Sequence, residues 1–223
     1  MPVSCNSNRK GEAGKIPANQ LNQIDIRDYK RLKLSVIKKT NFRSESGASL
    51  ENDPHWKTLR REVLKRDDYT CYYCGFRYHS YMEVHHNNGD WANNSPENLI
   101  TVCPFCHSCL HIGLASIQGR GRLILLNQPV IQSGMNRLLL DLIREYAPDR
   151  QKVAKAVDAV FASIDMKEDL GEAGLQDLAN IMAAGMQIGA PVDDAREELL
   201  FFPNIFRYNI TNYILTNSQK GTD

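Results

Sequence analysis

Beyond residue 53 the apolar positions fall at helical spacing: Trp56, Leu59, Val63 and Leu64 share one face, and Lys57, Arg60, Arg61, Lys65 and Arg66 cover much of the rest. Asp53 stands where an N-cap belongs, and Pro54 fits the first helical position. Upstream, LKLSVI at 32–37 alternates as a short strand does, whereas NFRSESGASLEND at 41–53 reads as a loop. Downstream the pattern predicts a strand at 82–86, a long polar loop at 87–97, a strand at 98–103 and a helix from about 104. Gly119 and Gly121 punctuate a turn before a further strand, RLILLN at 122–127. From 133 the rhythm is helical. Leu138, Leu139, Leu142 and Ile143 form one stripe, closed by Pro148, and Val153, Ala156, Val157, Val160 and Phe161 form the next. Residues 174–188 and 199–215 make two more helices, with Pro203 in the first turn of the last. Residues 1–25 are polar and rich in Asn, Gly, Ser and Lys, the composition of a disordered lead-in.

Composition adds limits rather than a function. Hydrophobic residues make up 42% and charged residues 24% of 223 positions, as in ordinary globular domains. A net charge of +1 excludes a global basic signature for nucleic-acid binding. The charge is unevenly placed, with an excess of bases in residues 1–70 and of acids in 151–223, which suggests different partners for the two ends. No apolar run approaches the roughly 20 residues that span a bilayer, so no membrane insertion is expected. The N-terminal MPVSCNSNRKGEAGK lacks the apolar core of a secretory signal, and a cytoplasmic location is the expectation. In a reducing compartment, closely paired cysteines favour metal over disulfide.

Two such pairs occur, Cys71-x-x-Cys74 and Cys103-x-x-Cys106, on either side of a 28-residue insert. Thiolates two residues apart on a tight turn span one edge of a tetrahedron, and a second pair supplies the opposite edge, so the pattern predicts a structural zinc. Gly75 lets the backbone fold back toward the ion. Four scattered buried thiols would not explain two independent pairs. Cys109 could compete as a ligand or be a buried apolar thiol. A module this small often folds only with its staple.

Four of the six histidines, His85, His86, His107 and His111, fall at telling spacings in the same stretch. His85 and His86 end the strand MEVHH, where neighbours point to opposite faces, so one can bind a metal while the other addresses a substrate. His107 and His111 are four apart after the second cysteine pair, on one face of a helix, a spacing that suits two ligands of one divalent cation. The plainer alternative is packing histidines or spare zinc ligands.

The run CYYC…EVHHNNGDW…ENLITVCPFCHSCLH resembles the HNH endonuclease family in its four-cysteine form, over residues 55–113. The resemblance implies a zinc-stapled ββα-metal core within an α+β fold, and hydrolysis of phosphodiester bonds in nucleic acid, DNA more than RNA. It implies His85, His107 and His111 as ligands of a second divalent metal (magnesium, manganese, nickel or zinc). It further implies His86 as general base, and Asn98 bracing the loop and orienting His86 through a hydrogen bond. Such chemistry needs cations beside the phosphates, yet no Lys or Arg lies between Arg77 and Arg120. Lys57, Arg60, Arg61, Lys65 and Arg66 are either the phosphate grip or a plain solvated helix face.

Over a longer stretch, LKLSV, VLKRDDYTC, CPFCHSC and GRGRLILLNQP are similar to the IcmJ (DotN) family. That family comprises HNH-like zinc proteins of type IVB secretion coupling complexes. This second resemblance implies a non-catalytic zinc adaptor with secretion or conjugation coupling proteins as partners. The resulting organisation is a disordered segment 1–25, an HNH-like zinc domain with flanking strands 26–130, and a helical C-terminal region 131–223.

Overall fold

In the computed structural model of the chain, the described residues are 29–36, 53–187 and 198–218. The expectations for 1–25, for 41–52 and for Ile37 lie outside them. The fold class is the expected one: helices with two small antiparallel sheets.

Helix α1 runs Pro54–Arg66 and begins as its caps dictate, with the Asp53 carboxylate accepting the His55 N–H at 2.9 Å. Its buried residues, Trp56, Val63 and Leu64, are three of the four on the predicted stripe, with Leu59 half-buried beside them. The chain then turns through the cysteine knuckle into β1 (Glu83–His86), which pairs antiparallel with β2 (Leu99–Val102) in the register Glu83↔Val102 to His86↔Leu99. Helix α2 (Pro104–Leu110) follows, with α3 (Ile112–Ile117) directly behind it.

The break between α2 and α3 was not predicted, and its cause is the segment 29–36. This segment is extended with alternating burial (Leu32, Leu34 and Val36 inside), but it forms no regular ladder, so the expected strand at 32–37 is corrected to a strap. Its Ser35 gives its N–H to Cys109 O at 2.8 Å and accepts the Ile112 N–H at 2.9 Å. Those two groups would otherwise continue one helix through His111. His111 is therefore a helix cap with φ −132° and ψ 52°, rather than a mid-helix residue.

Strand β3 (Gly121–Leu126) is the centre of the second sheet, flanked by β4 (Met166–Leu170) and β5 (Leu199–Pro203), both antiparallel to it. Helices α4 (Gln132–Tyr146), α5 (Arg150–Ala162) and α6 (Gly171–Gln187) fall where the stripes predicted them, and α7 spans Asn209–Asn217. The expected helix 199–215 is corrected: Leu199–Pro203 is a strand, a 3-10 turn covers Ile205–Arg207, and only the remainder is helical. A short unbroken apolar run has no period to distinguish strand from helix. What decides it is the partner strand. Gly121 has no side chain, so the Phe201 ring and Phe202 carbonyl lie 2.5 Å and 2.7 Å from where its Cβ would sit. Strand β4 reads MKEDL and is largely exposed, so it carries no alternation to find.

One apolar cluster unites strap, knuckle, α2, α3, α4, β3, β5 and α7, with the four pattern cysteines and Cys109 inside it. No helix among the described residues is long and apolar enough to cross a membrane.

Candidate metal centres

The cysteine site is built by a turn and a helix start. Thr70 and Arg77 bridge antiparallel across the knuckle, Cys71 donates its N–H to Phe76 O and accepts the Gly75 N–H at its carbonyl, both at 2.9 Å, and Gly75 takes φ +65°. Cys103 caps α2 and brings Cys106 one turn along. The sulfurs of Cys71, Cys74, Cys103 and Cys106 all lie within 4.8 Å of one another, and Cys74 and Cys103 are 3.7 Å apart. A tetrahedral zinc with ordinary Zn–S bonds sets sulfurs about 3.8 Å apart. The set therefore fits zinc in donor type and spacing. Its electrostatics agree. Burial pushes the Cys103 and Cys106 thiols well up. Burial also opposes ionisation of Cys71, yet hydrogen bonds from Cys103, Cys106 and Cys74 draw that thiol well below its usual value. Several thiolates in one dry pocket need a dication beside them. Cys109 stays outside the four-sulfur group: its thiol donates to Phe105 O at 3.4 Å, and burial pushes it up to about 12.

The histidine site is built from β1 and the same helix. Strand β1 sends His85 to one face, and α2 with its cap brings His107 and His111 to meet it. One nitrogen from each lies within 4.8 Å of the others, with His111 Nε2 and His85 Nδ1 3.1 Å apart. The donor set of three imidazoles, half-buried, suits a divalent transition metal. Burial first, then the neighbouring His107, pushes His85 down to about 3 and His111 down to about 2, so both rings are neutral and carry the lone pairs a metal needs. The interruption at His111 does not scatter the pair: the His107 and His111 rings stand 4.4 Å apart.

Glu83 is a participant that the sequence reading missed. It lies two residues before His85 on β1, hence on the same face, and its Oε2 bonds His107 Nδ1. That leaves Nε2 of His107 for the cluster. Burial would raise the Glu83 carboxyl, but His107, Arg120 and Arg60 hold it below its ordinary value. The period-2 spacing to His85 was the available signal.

His86 points away from the cluster, as strand alternation requires. Its ring stacks on Trp56, with centroids 5.3 Å apart and planes 12° from parallel, and its Nε2 bonds Asn94 Oδ1 at 2.9 Å. An amide oxygen only accepts, so Nε2 carries the proton and the lone pair sits on Nδ1. Asn98 braces the loop: its Oδ1 accepts the Asn88 N–H at 2.9 Å and its Nδ2 donates to Asn93 O at 2.8 Å. The hydrogen bond expected from Asn98 to the His86 ring is corrected, because Asn94 makes it.

The cations of α1 divide. Arg60 donates to Met82 O at 2.6 Å, and Arg66 donates to Pro96 O and Leu99 O, each at 2.7 Å, while pairing with Asp67. These two tie α1 to the β1–β2 hairpin. Lys57, Arg61 and Lys65 are exposed on its surface.

No family model matches the chain. Type 4 apparatus protein DotN of Legionella pneumophila is 30% identical over 158 residues, which is 69% of this chain and 72% of that protein. Zorya protein ZorE of Escherichia coli is 32% identical over 75 residues, 31% of this chain and 20% of that protein.

Proposed function

The chain belongs to the family of type 4 apparatus protein DotN, and from that premise we propose that it is a zinc-stapled assembly part of a type IV secretion or conjugation apparatus, an adaptor for its coupling proteins. The observation that carries this reading is the extent of the similarity. At 158 residues it runs well beyond the metal-bearing stretch 55–113, into the strap or the C-terminal sheet and helices, as a shared scaffold would. The packing agrees, since strap, cysteine site and C-terminal sheet share one apolar core. Cys71, Cys74, Cys103 and Cys106 would hold the zinc. The test is co-expression with the coupling ATPase and accessory proteins of the same transfer system, followed by size-exclusion chromatography with light scattering and zinc analysis. A stoichiometric complex containing one zinc per chain is expected. A monomer that joins none of them refutes the adaptor role.

A second reading is favoured by a separate observation, the convergence of His85, His107 and His111 with His86 held apart on Trp56 and Asn94. On this reading the protein is an HNH-type endonuclease. His85, His107 and His111 bind the second divalent metal, His86 Nδ1 takes a proton from water, and Asn98 holds the loop. Such a metal stabilises negative charge on the phosphate and the leaving oxygen. Supercoiled plasmid incubated with magnesium, manganese or nickel should be nicked by the wild type and not by His86→Ala. Equal nicking by both, or by neither, removes this reading.

A further inference from the structure

A buried amide relay connects the cysteine site to the C-terminal sheet. Four thiolates around one dication leave two net negative charges in a pocket where Cys71, Cys74, Cys103 and Cys106 are 0–2% exposed. Burying that charge is tolerable only where N–H donors face the sulfurs. The backbone supplies one, from Cys106 N to Cys103 Sγ at 3.4 Å. A side chain supplies another: Asn136 on α4, itself 0% exposed, places Nδ2 3.4 Å from Cys106 Sγ and 3.6 Å from Cys109 Sγ.

The direction of the Asn136 amide is dictated by the main chain of β5. Gln132, one helical turn earlier, meets Phe201 as a neighbouring strand would: its Oε1 accepts the Phe201 N–H and its Nε2 donates to the Phe201 carbonyl, both at 2.8 Å. Backbone polarity cannot be reversed, so the Gln132 amide has one allowed orientation. The second N–H of Nε2 then goes to Asn136 Oδ1 at 3.0 Å, which leaves Asn136 only its NH2 group to present to sulfur. Flipping Asn136 would face oxygen with sulfur lone pairs and strand a Gln132 N–H.

We infer that Asn136 is a positioning residue of the cysteine site, donating an N–H···S hydrogen bond to Cys106, and that Gln132 and the Phe201 backbone set its orientation, so that metal retention is coupled to the C-terminal sheet. This rests on those four cysteines holding zinc, and the test separates the two claims.

Full-length protein is purified with its metal, and zinc content and the rate of zinc extraction by a strong chelator are measured for wild type, Asn136→Ala, Asn136→Asp and Gln132→Met. Outer-shell partners typically alter metal affinity by about 10–100-fold. Extraction is expected to quicken about tenfold in Asn136→Ala, and further in Asn136→Asp, which puts an acceptor where the donor was. Gln132→Met should quicken extraction too, although it touches no sulfur; a residue that only fills space would not produce that pattern. In cadmium-substituted wild type, a proton–cadmium correlation from the Asn136 side-chain amide is expected beside the one from the Cys106 backbone amide. The inference is overturned by a Cys106 correlation without an Asn136 one, or by a folded Asn136→Ala that releases zinc within twofold of wild type. A wild type that binds no zinc overturns the zinc reading itself, and this inference with it.

Discussion

The Asp67 carboxylate accepts the Thr101 backbone N–H at 3.0 Å, fastening the end of α1 to the middle of β2 across 34 residues of chain. The same carboxylate pairs with Arg66, whose guanidinium reaches the Pro96 and Leu99 carbonyls. Together they form a clasp over the strand that leads into Cys103.

The clasp is sensitive to acid. Burial alone would raise the Asp67 carboxyl, but the hydrogen bonds from Arg66 and Thr101 outweigh it and hold the group below its ordinary value of 3.8. Below that value the unfolded chain binds the proton more readily than the folded one, so stability rises with pH there. The contribution is complete above about pH 5 and is lost as pH falls through the ordinary carboxylate range toward the lowered value. Asp67→Asn removes the charge but keeps an acceptor oxygen, and with Arg66 partly exposed it should cost about 0.5–1 kcal/mol at pH 7 and less at pH 3. Urea unfolding of both proteins at the two pH values checks this; a cost that does not shrink in acid contradicts the assignment.

Damage should separate the cysteine site from His86. Cys71→Ser removes one sulfur from a buried set, and because metal binding and folding are one equilibrium, the 53–126 stretch should lose its cooperative melt. His86→Ala should retain zinc and fold, losing about 1 kcal/mol for one hydrogen bond and the edge of a stack. Thermal melts with zinc analysis would show the order, and the reverse order would mean that His86, not the cysteines, holds the module together.

Gly121→Ala should cost more than most surface changes, about 1–3 kcal/mol or above, because the new methyl meets the Phe201 ring and the Phe202 carbonyl on the paired strand. Gly89 offers the contrast. Its φ is +74° but nothing lies within 4 Å of an added Cβ, so Gly89→Ala carries backbone strain of about 1 kcal/mol and no clash. Denaturant midpoints for the two variants should differ in that order.

These contrasts also show what the sequence displayed. The cysteine spacing, the N-cap at Asp53, the β1 and β2 spans and the α4 and α5 stripes were readable because each rests on local chemistry or on a period. The strap, β4 and β5 were not, since each is defined by what it lies against. LLFFP becomes a strand because Gly121 admits Phe201, and α2 stops because Ser35 occupies the bonds that would continue it. In the site, the five pattern histidine and asparagine positions were visible, whereas Glu83 and Asn136 act through partners far along the chain, and Asn94 reaches His86 only through the fold of the loop between them. Asn136 had no signal at all until α4 was placed against the knuckle.

The split among the α1 cations yields a prediction that bears on both functional readings. Arg66 spends its donors on two main-chain carbonyls and Asp67, so Arg66→Ala should leave those groups without their partner and lower stability by about 1–3 kcal/mol. Lys57, Arg61 and Lys65 hold no comparable position, and alanine at each should change stability by less than about 0.5 kcal/mol. If the face they form meets nucleic acid, each removal should weaken binding evenly across sequences and reduce the salt slope by about 1. Fluorescence anisotropy with a labelled duplex, repeated at several salt concentrations, reads that slope directly. The expected result for an adaptor is a wild-type affinity already so weak at physiological salt that the three variants do not change it. A steep wild-type slope that falls stepwise with Lys57→Ala, Arg61→Ala and Lys65→Ala would instead place a phosphate backbone along α1, beside His86, and move the balance to the endonuclease.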